Sequence, residues 1–177
     1  MVIQTITDTY SLLSDLDGVK EHMYLLMDGA RFDNIHRFLY EHEDFPDYTA
    51  LYKGTNYETC KEVSPCIAKV PNPSCTLLKW YVERGADEDK AVILVSKLGT
   101  DELAEYYQQF LEAQLPDGKT VLFRFYDPTV LCVLITKPQH SVTKRILEPL
   151  TTLYWKEDGF FKKFDTGQSE VVDDDRA

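Results

Sequence analysis

The chain lacks most of the short patterns that mark a catalytic centre by sequence alone. It has no G-x-G-x-x-G and no G-x-x-x-x-G-K-[ST], so the glycine loops that cradle phosphates are absent. No G-x-S-x-G elbow offers a serine nucleophile, and no H-E-x-x-H offers a zinc site. His36 and His42 stand six residues apart, too far to share a helical face at i and i+4. The four cysteines, Cys60, Cys66, Cys75 and Cys132, form no C-x-x-C pair and read as reduced, mostly buried thiols rather than a disulfide framework. No run of about 18 apolar residues exists that could cross a membrane as a helix. The N-terminus has neither a basic segment nor an apolar stretch of the secretory kind, so the expected location is cytoplasmic. Basic residues are outnumbered 19 to 30, and the net charge of −11 argues against nucleic acid and anionic membrane as partners.

What is present suits a globular protein: 44% of residues are apolar and 12% aromatic, enough for a sizeable core in 177 residues. With only eight glycines and eight prolines there is no loose linker, and no internal repeat is visible. The expectation is a single domain over 1–164 followed by an acidic, disordered tail over 165–177, where five acids meet one arginine.

Apolar runs at His22–Met27, Pro65–Val70, Ala91–Val95 and Leu150–Lys156 read as strands. Helical spacing links Phe32, Ile35, His36 and Leu39, then Leu77, Leu78, Tyr81 and Val82 behind an N-cap at Ser74. A third stripe, Leu103, Tyr106, Tyr107, Phe110 and Leu111, runs on toward Pro116, and further helices start at Pro128 and Ser141. Strands alternating with helices predict an α/β (or α+β) fold, with a mixed, partly parallel sheet flanked by helices.

The stretch Leu115–Leu131 is the most informative. Pro116-Asp117-Gly118 is a turn in which proline presets φ, aspartate bonds back to the backbone and glycine accepts a positive φ. Thr120–Tyr126 follows as a β-branched and aromatic strand expected to be largely buried, with Arg124 inside it. A guanidinium there needs an ionic partner, and Asp28 or Asp127 is at hand. Asp127-Pro128 reads as an N-cap followed by proline at the first helical position. Arg31 and Arg124 are also candidates for recognising an anion, and Asp28 and Asp127 sit at strand ends, where α/β enzymes place catalytic groups.

Taken together, these segments resemble one known family. Tyr24-Leu25-Leu26-Met27-Asp28-Gly29-Ala30 is similar to a Y-L-L-x-D-G-A opening that runs on into Arg31, and Leu51–Thr55 to an L-x-x-G-T element closing on Gly54 and Thr55. Ser64-Pro65-Cys66-Ile67 resembles a degenerate G-P-x-L, and the block from Leu115 resembles L-P-D-G followed by L-x-R-F-Y-D-P-R-V-L. Their order and spacing match the effector adaptor or chaperone family of the bacterial type VI secretion system, once catalogued only as a domain of unknown function. Ser64 stands where the pattern has glycine, and Thr129 where it has arginine.

The resemblance implies a cytoplasmic protein without catalysis or cofactor that binds a cognate effector and promotes its loading onto the VgrG/PAAR spike. It marks Tyr24, Asp28, Gly29, Arg31, Gly54, Thr55, Pro65, Asp117, Gly118, Arg124, Tyr126, Asp127 and Pro128 as motif residues with a structural role. An adaptor also needs an apolar patch with a polar rim, and Tyr154, Trp155, Phe160 and Phe161 are the candidate partner contacts. Two other readings stay open: a small cysteine- or carboxylate-dependent enzyme, and an immunity-like protein that binds a toxin.

Overall fold

A computed structural model describes residues 2–137 and 140–167. The strands are β1 (Ile3–Ile6), β2 (His22–Met27), β3 (Tyr48–Ala50), β4 (Cys66–Val70), β5 (Ala91–Ser96), β6 (Glu112–Gln114), β7 (Thr120–Leu122), β8 (Leu150–Glu157) and β9 (Phe160–Asp165). The helices are α1 (Thr9–Asp17), α2 (Ile35–His42), α3 (Thr76–Trp80), α4 (Thr100–Gln108), α5 (Pro128–Ile135) and α6 (Ser141–Leu147). Seven strands form one sheet in the order β1-β9-β8-β5-β2-β4-β3, and β6 and β7 form a separate ribbon.

Among the described residues every strand pair is antiparallel, which overturns the expectation of a partly parallel sheet. The fold is α+β. The alternation of strand and helix that suggested parallel pairing comes from the connection β4–α3–β5. Those two strands do run parallel, but β2 lies between them and is antiparallel to both. The unbroken apolar character of β2 and β5 has a different origin from parallel pairing: it records cover on both faces. Tyr24 and Leu26 of β2 join Val92 and Leu94 of β5 in one core, against Leu103, Ala104 and Tyr107 of α4, Leu131 and Ile135 of α5, and Ile146 of α6. Met23, Leu25 and Met27 point the other way, with Ile93 and Val95, into a core closed by Leu12 and Leu16 of α1, Ile35 and Leu39 of α2, and Leu77 and Leu78 of α3.

Local chemistry sets the element boundaries. Asp8 and Asn34 accept from the backbone N–H of Ser11 and Arg37, at 2.8 and 2.9 Å, and so cap α1 and α2. The cap of α3 is Cys75 rather than Ser74; its Sγ accepts from Leu78 N at 3.4 Å. At Asp158-Gly159 both residues have positive φ, 52° and 79°, the two-residue turn that matches the twist of the β8–β9 hairpin.

Several expectations fail around the Leu115–Leu131 block. The helix of Leu103 ends at Gln108, and Glu112–Gln114 becomes a strand instead of continuing to Pro116. Only Thr120–Leu122 of the expected Thr120–Tyr126 strand pairs, and all three residues are exposed. Arg124 therefore lies outside any strand, in the turn that leads into α5. β1, α1, β3 and β9 were not foreseen; β1 and β3 are short edge strands with no fully buried residue, so their composition carries little signal. From residue 168 onward the expected acidic tail lies outside the described residues, and Asp165 itself closes β9.

Candidate functional site

β2 and α5 bring two aspartates to one place. Asp28 follows the last residue of β2 and caps the short 3-10 turn Gly29–Arg31, accepting from Ala30 N at 3.3 Å. Asp127 caps α5, accepting from Thr129 N at 3.0 Å, with Pro128 in the first helical position. Two arginines bridge them. Arg31 donates from Nε to Asp28 Oδ2 at 3.3 Å and from Nη2 to both oxygens of Asp127 at 3.2 and 3.3 Å. Arg124 donates from Nη2 to Asp28 Oδ2 in a short contact, and the same nitrogen lies 3.4 Å from Asp127 Oδ2.

The quartet is layered: the side chain of Asp28 is fully buried and that of Asp127 is 11% exposed, while those of Arg31 and Arg124 are 32% and 42% exposed. Burial alone would raise the Asp127 carboxyl. The Thr129 N–H and the Arg31 guanidinium outweigh it and hold the group below the usual carboxylate value. Burial acts likewise against the charge of Arg124, and the Asp28 and Asp127 carboxylates more than offset it, so its affinity for the proton rises.

The neighbouring motif residues hold this arrangement in place. Tyr126 and Tyr52 share a hydrogen bond between hydroxyls at 2.8 Å, and burial raises both phenols. A Cβ on Gly29 would stand 2.0 Å from the Ser64 carbonyl oxygen, so only glycine fits there. Ser64, in the position where the resemblance expects glycine, is buried; its hydroxyl accepts from Tyr52 N at 3.0 Å and donates to Pro65 O at 2.9 Å. Pro65 O also accepts from Leu51 N at 2.8 Å, which ties the L-x-x-G-T turn to the head of β4. Within that turn Gly54 takes a φ of +72°, and Thr55 donates to Tyr52 O at 2.8 Å. Tyr24 lies in the core and donates to Leu98 O at 2.7 Å.

The other half of the block points outward. Asp117 accepts from Lys119 N at 3.1 Å and Gly118 sits at φ +84°, closing the β6–β7 turn. Leu115, Val121 and Leu122 of this ribbon are exposed. A groove of about 420 Å³ runs beside its base between Gly54–Tyr57, the end of α4 and Glu112, and Tyr57 donates across it to Glu112 Oε1 at 3.0 Å. A second cavity, of about 320 Å³, is lined by Asp87, Asp89, Thr129, Cys132, Lys156 and Glu157.

The candidate partner contacts need correction. Tyr154, Trp155 and Phe161 are buried in the two cores, because β8 is an interior strand covered on both faces and Phe161 faces the layer of α1–α3. Phe160 alone of the four is exposed, at 45%. Exposed aromatics that the sequence did not single out are Tyr10 in α1, Tyr40 in the last turn of α2 and Phe45 beyond it. Tyr52 also went unnoticed, although it lies inside the L-x-x-G-T element. The remaining chemistry is quiet. Burial pushes the thiols of Cys66 and Cys132 up to about 12 and raises that of Cys75. Cys60 is exposed, and among the described residues no cysteine is hydrogen-bonded to a histidine. His36 is held between Tyr48 Oη and the Lys61 carbonyl at 3.1 and 2.9 Å. Among the described residues no group of three His, Cys, Asp or Glu could hold a metal, and no helix is long and apolar enough to cross a membrane.

Comparison with known proteins gives two matches. A family model described as a domain of unknown function, DUF4123, covers residues 23–143, which include the whole quartet and both turns. The chain is also 26% identical over 128 residues to a protein of Vibrio cholerae serotype O1 named accessory protein VasW. The matched region is 71% of this chain and 42% of that relative, so the chain spans well under half its length. No solved structure shows a significant match.

Proposed function

The chain belongs to the DUF4123 family, and from that premise we propose that it is an adaptor of the type VI secretion system. It binds a cognate effector and promotes the loading of that effector onto the VgrG/PAAR spike. The observation that carries the reading is the joint occurrence of the family's motif elements in one stretch, residues 23–143. The likeness to a protein named as an accessory protein agrees with it. The motif residues act as a brace. Asp28, Arg31, Arg124 and Asp127 neutralise one another, and both carboxylates already serve as caps. Thiols raised by burial make poor nucleophiles, which weighs against the enzyme reading. Surface for a partner remains on the β6–β7 ribbon, at Phe160, and around Tyr40 and Phe45.

The test is binding and secretion. The full chain is co-purified with the product of a toxin gene beside its own, and secretion of that effector is followed in a strain lacking the adaptor. Loss of secretion without self-intoxication supports the adaptor. Self-intoxication points to an immunity protein instead, and failure to bind any neighbouring effector or spike protein removes the reading.

A further inference from the structure

The two arginines of the quartet keep donors in reserve. Arg31 engages the carboxylates through Nε and Nη2, and Arg124 through Nη2. Among the described residues, Nη1 of Arg31 and both Nε and Nη1 of Arg124 have no acceptor, and both side chains reach solvent while Asp28 does not. The charges of the quartet cancel, yet they are ordered in depth, with the carboxylates inside and the guanidiniums outside. At this point a chain of net charge −11 presents the positive end of a buried dipole.

The arginines are also held still. Asp28 and Asp127 are each fixed by a backbone N–H, from Ala30 and Thr129, and each aspartate meets both guanidiniums. A long side chain normally loses rotamer freedom when it is immobilised on binding. Here the fold has already removed that freedom. Each unused N–H of these guanidiniums can donate a charge-assisted hydrogen bond to a carboxylate oxygen.

The geometry points to Arg31 and Arg124 as a preorganised receptor for a carboxylate carried by a protein partner, an Asp or Glu side chain or a C-terminus. The inference rests on the adaptor reading and names the chemistry that the partner brings to this site.

Two experiments separate the claims. In the first, the full ¹⁵N-labelled chain is titrated with the peptide Ac-Gly-Glu-Glu-Gly-NH₂, with its glutamine counterpart and with inorganic phosphate. The arginine Nε–Hε resonances are followed by NMR. Saturable movement of the Arg124 resonance with the glutamate peptide, on the order of millimolar for a single contact, and none with the glutamine peptide, supports the carboxylate receptor. No movement with the glutamate peptide overturns it. Movement with phosphate alone also overturns it, in favour of a phosphate site. This experiment uses the unaltered chain and does not depend on a variant that folds.

In the second, the effector that co-purifies is bound to the wild-type chain and to Arg124→Gln and Arg124→Lys. A loss of at least tenfold in affinity for Arg124→Gln, partly restored in Arg124→Lys, with backbone spectra that show both variants folded, supports the inference. Equal affinity in a folded Arg124→Gln overturns it and leaves the adaptor reading standing. Absence of effector binding by the wild-type chain removes the adaptor reading, and the peptide titration still decides whether the receptor exists.

Discussion

The two halves of Leu115–Leu131 are neighbours in sequence and opposites in the fold. Arg124–Leu131 turns inward: Phe125, Tyr126 and Leu131 enter a core, Asp127 caps a helix, and Arg124 locks onto Asp28. Leu115–Leu122 turns outward as a two-stranded ribbon that joins no larger sheet and leaves every residue of β7 exposed. A hairpin of that size is marginal alone, and this one is anchored at its base, where Phe123 N donates to Leu111 O at 2.7 Å and Tyr57 reaches Glu112. The contrast shows that strand propensity and burial are separate properties. Thr120 and Val121 favour an extended backbone because they are branched at Cβ, and nothing in that preference supplies a face to cover.

If the inward half is the brace, cutting its most buried charge is the severest test. Asp28→Asn keeps the shape and removes the charge that faces both guanidiniums. Unfolding in urea is expected to show a loss of about 3 kcal/mol, the low end for breaking a buried pair because both arginines keep access to water. A loss below about 0.5 kcal/mol, the level of an ordinary surface change, would mean that the quartet braces nothing. Ser64→Ala comes next. It leaves the buried Tyr52 N–H without its acceptor, and an unsatisfied buried donor costs about 1–3 kcal/mol.

Much of the inward half was legible in the sequence, because its residues carry local chemistry. Asp-Pro fixes a helix start, and an arginine flanked by apolar residues needs a carboxylate within reach. Asp28 and Arg31 stand three apart, as do Arg124 and Asp127, so each pair meets inside its own turn. Sheet direction was not legible. A strand such as β5 reads the same whichever way its neighbour runs, and the placement of β2 between β4 and β5 is a long-range choice with no local residue to announce it. Tyr154, Trp155 and Phe161 misled for a related reason: an aromatic run looks alike on an interface and in a strand covered on both faces. Ser64 shows a third kind of gap, since its value lies in the Tyr52 N–H brought to it by a turn twelve residues away.

Acid sharpens the comparison at Asp127. The folded-state carboxyl lies below its usual value, and the unfolded value is near ~3.9. The carboxylate therefore stabilises the fold above that pH, and the contribution is lost as pH falls through the folded value. Asp127→Ala is expected to cost about 1–2 kcal/mol at neutral pH through loss of the cap. The gap between variant and wild type should close as the pH is lowered below about 4. A gap that stays constant down to pH ~2 would show that the side chain acts through packing and not through its charge.

The smallest effect is expected from the outward half. Val121→Thr and Leu122→Thr keep the branched, extended preference of β7 and remove apolar surface that the fold leaves exposed. Each should change stability by no more than about 0.5 kcal/mol, within the range of surface substitutions. Amide hydrogen exchange offers the matching contrast without mutation. The β7 amides have only the β6 ladder to protect them and should exchange long before those of β2 and β5, which are sandwiched between two cores. If the double variant instead loses about 2 kcal/mol or more, or if β7 exchanges as slowly as β2, the ribbon belongs to the cooperative core and the contrast fails. If stability holds while effector affinity drops, Leu115–Leu122 presents apolar surface that a partner covers without carrying the fold, whereas the arginines of the inward half serve both.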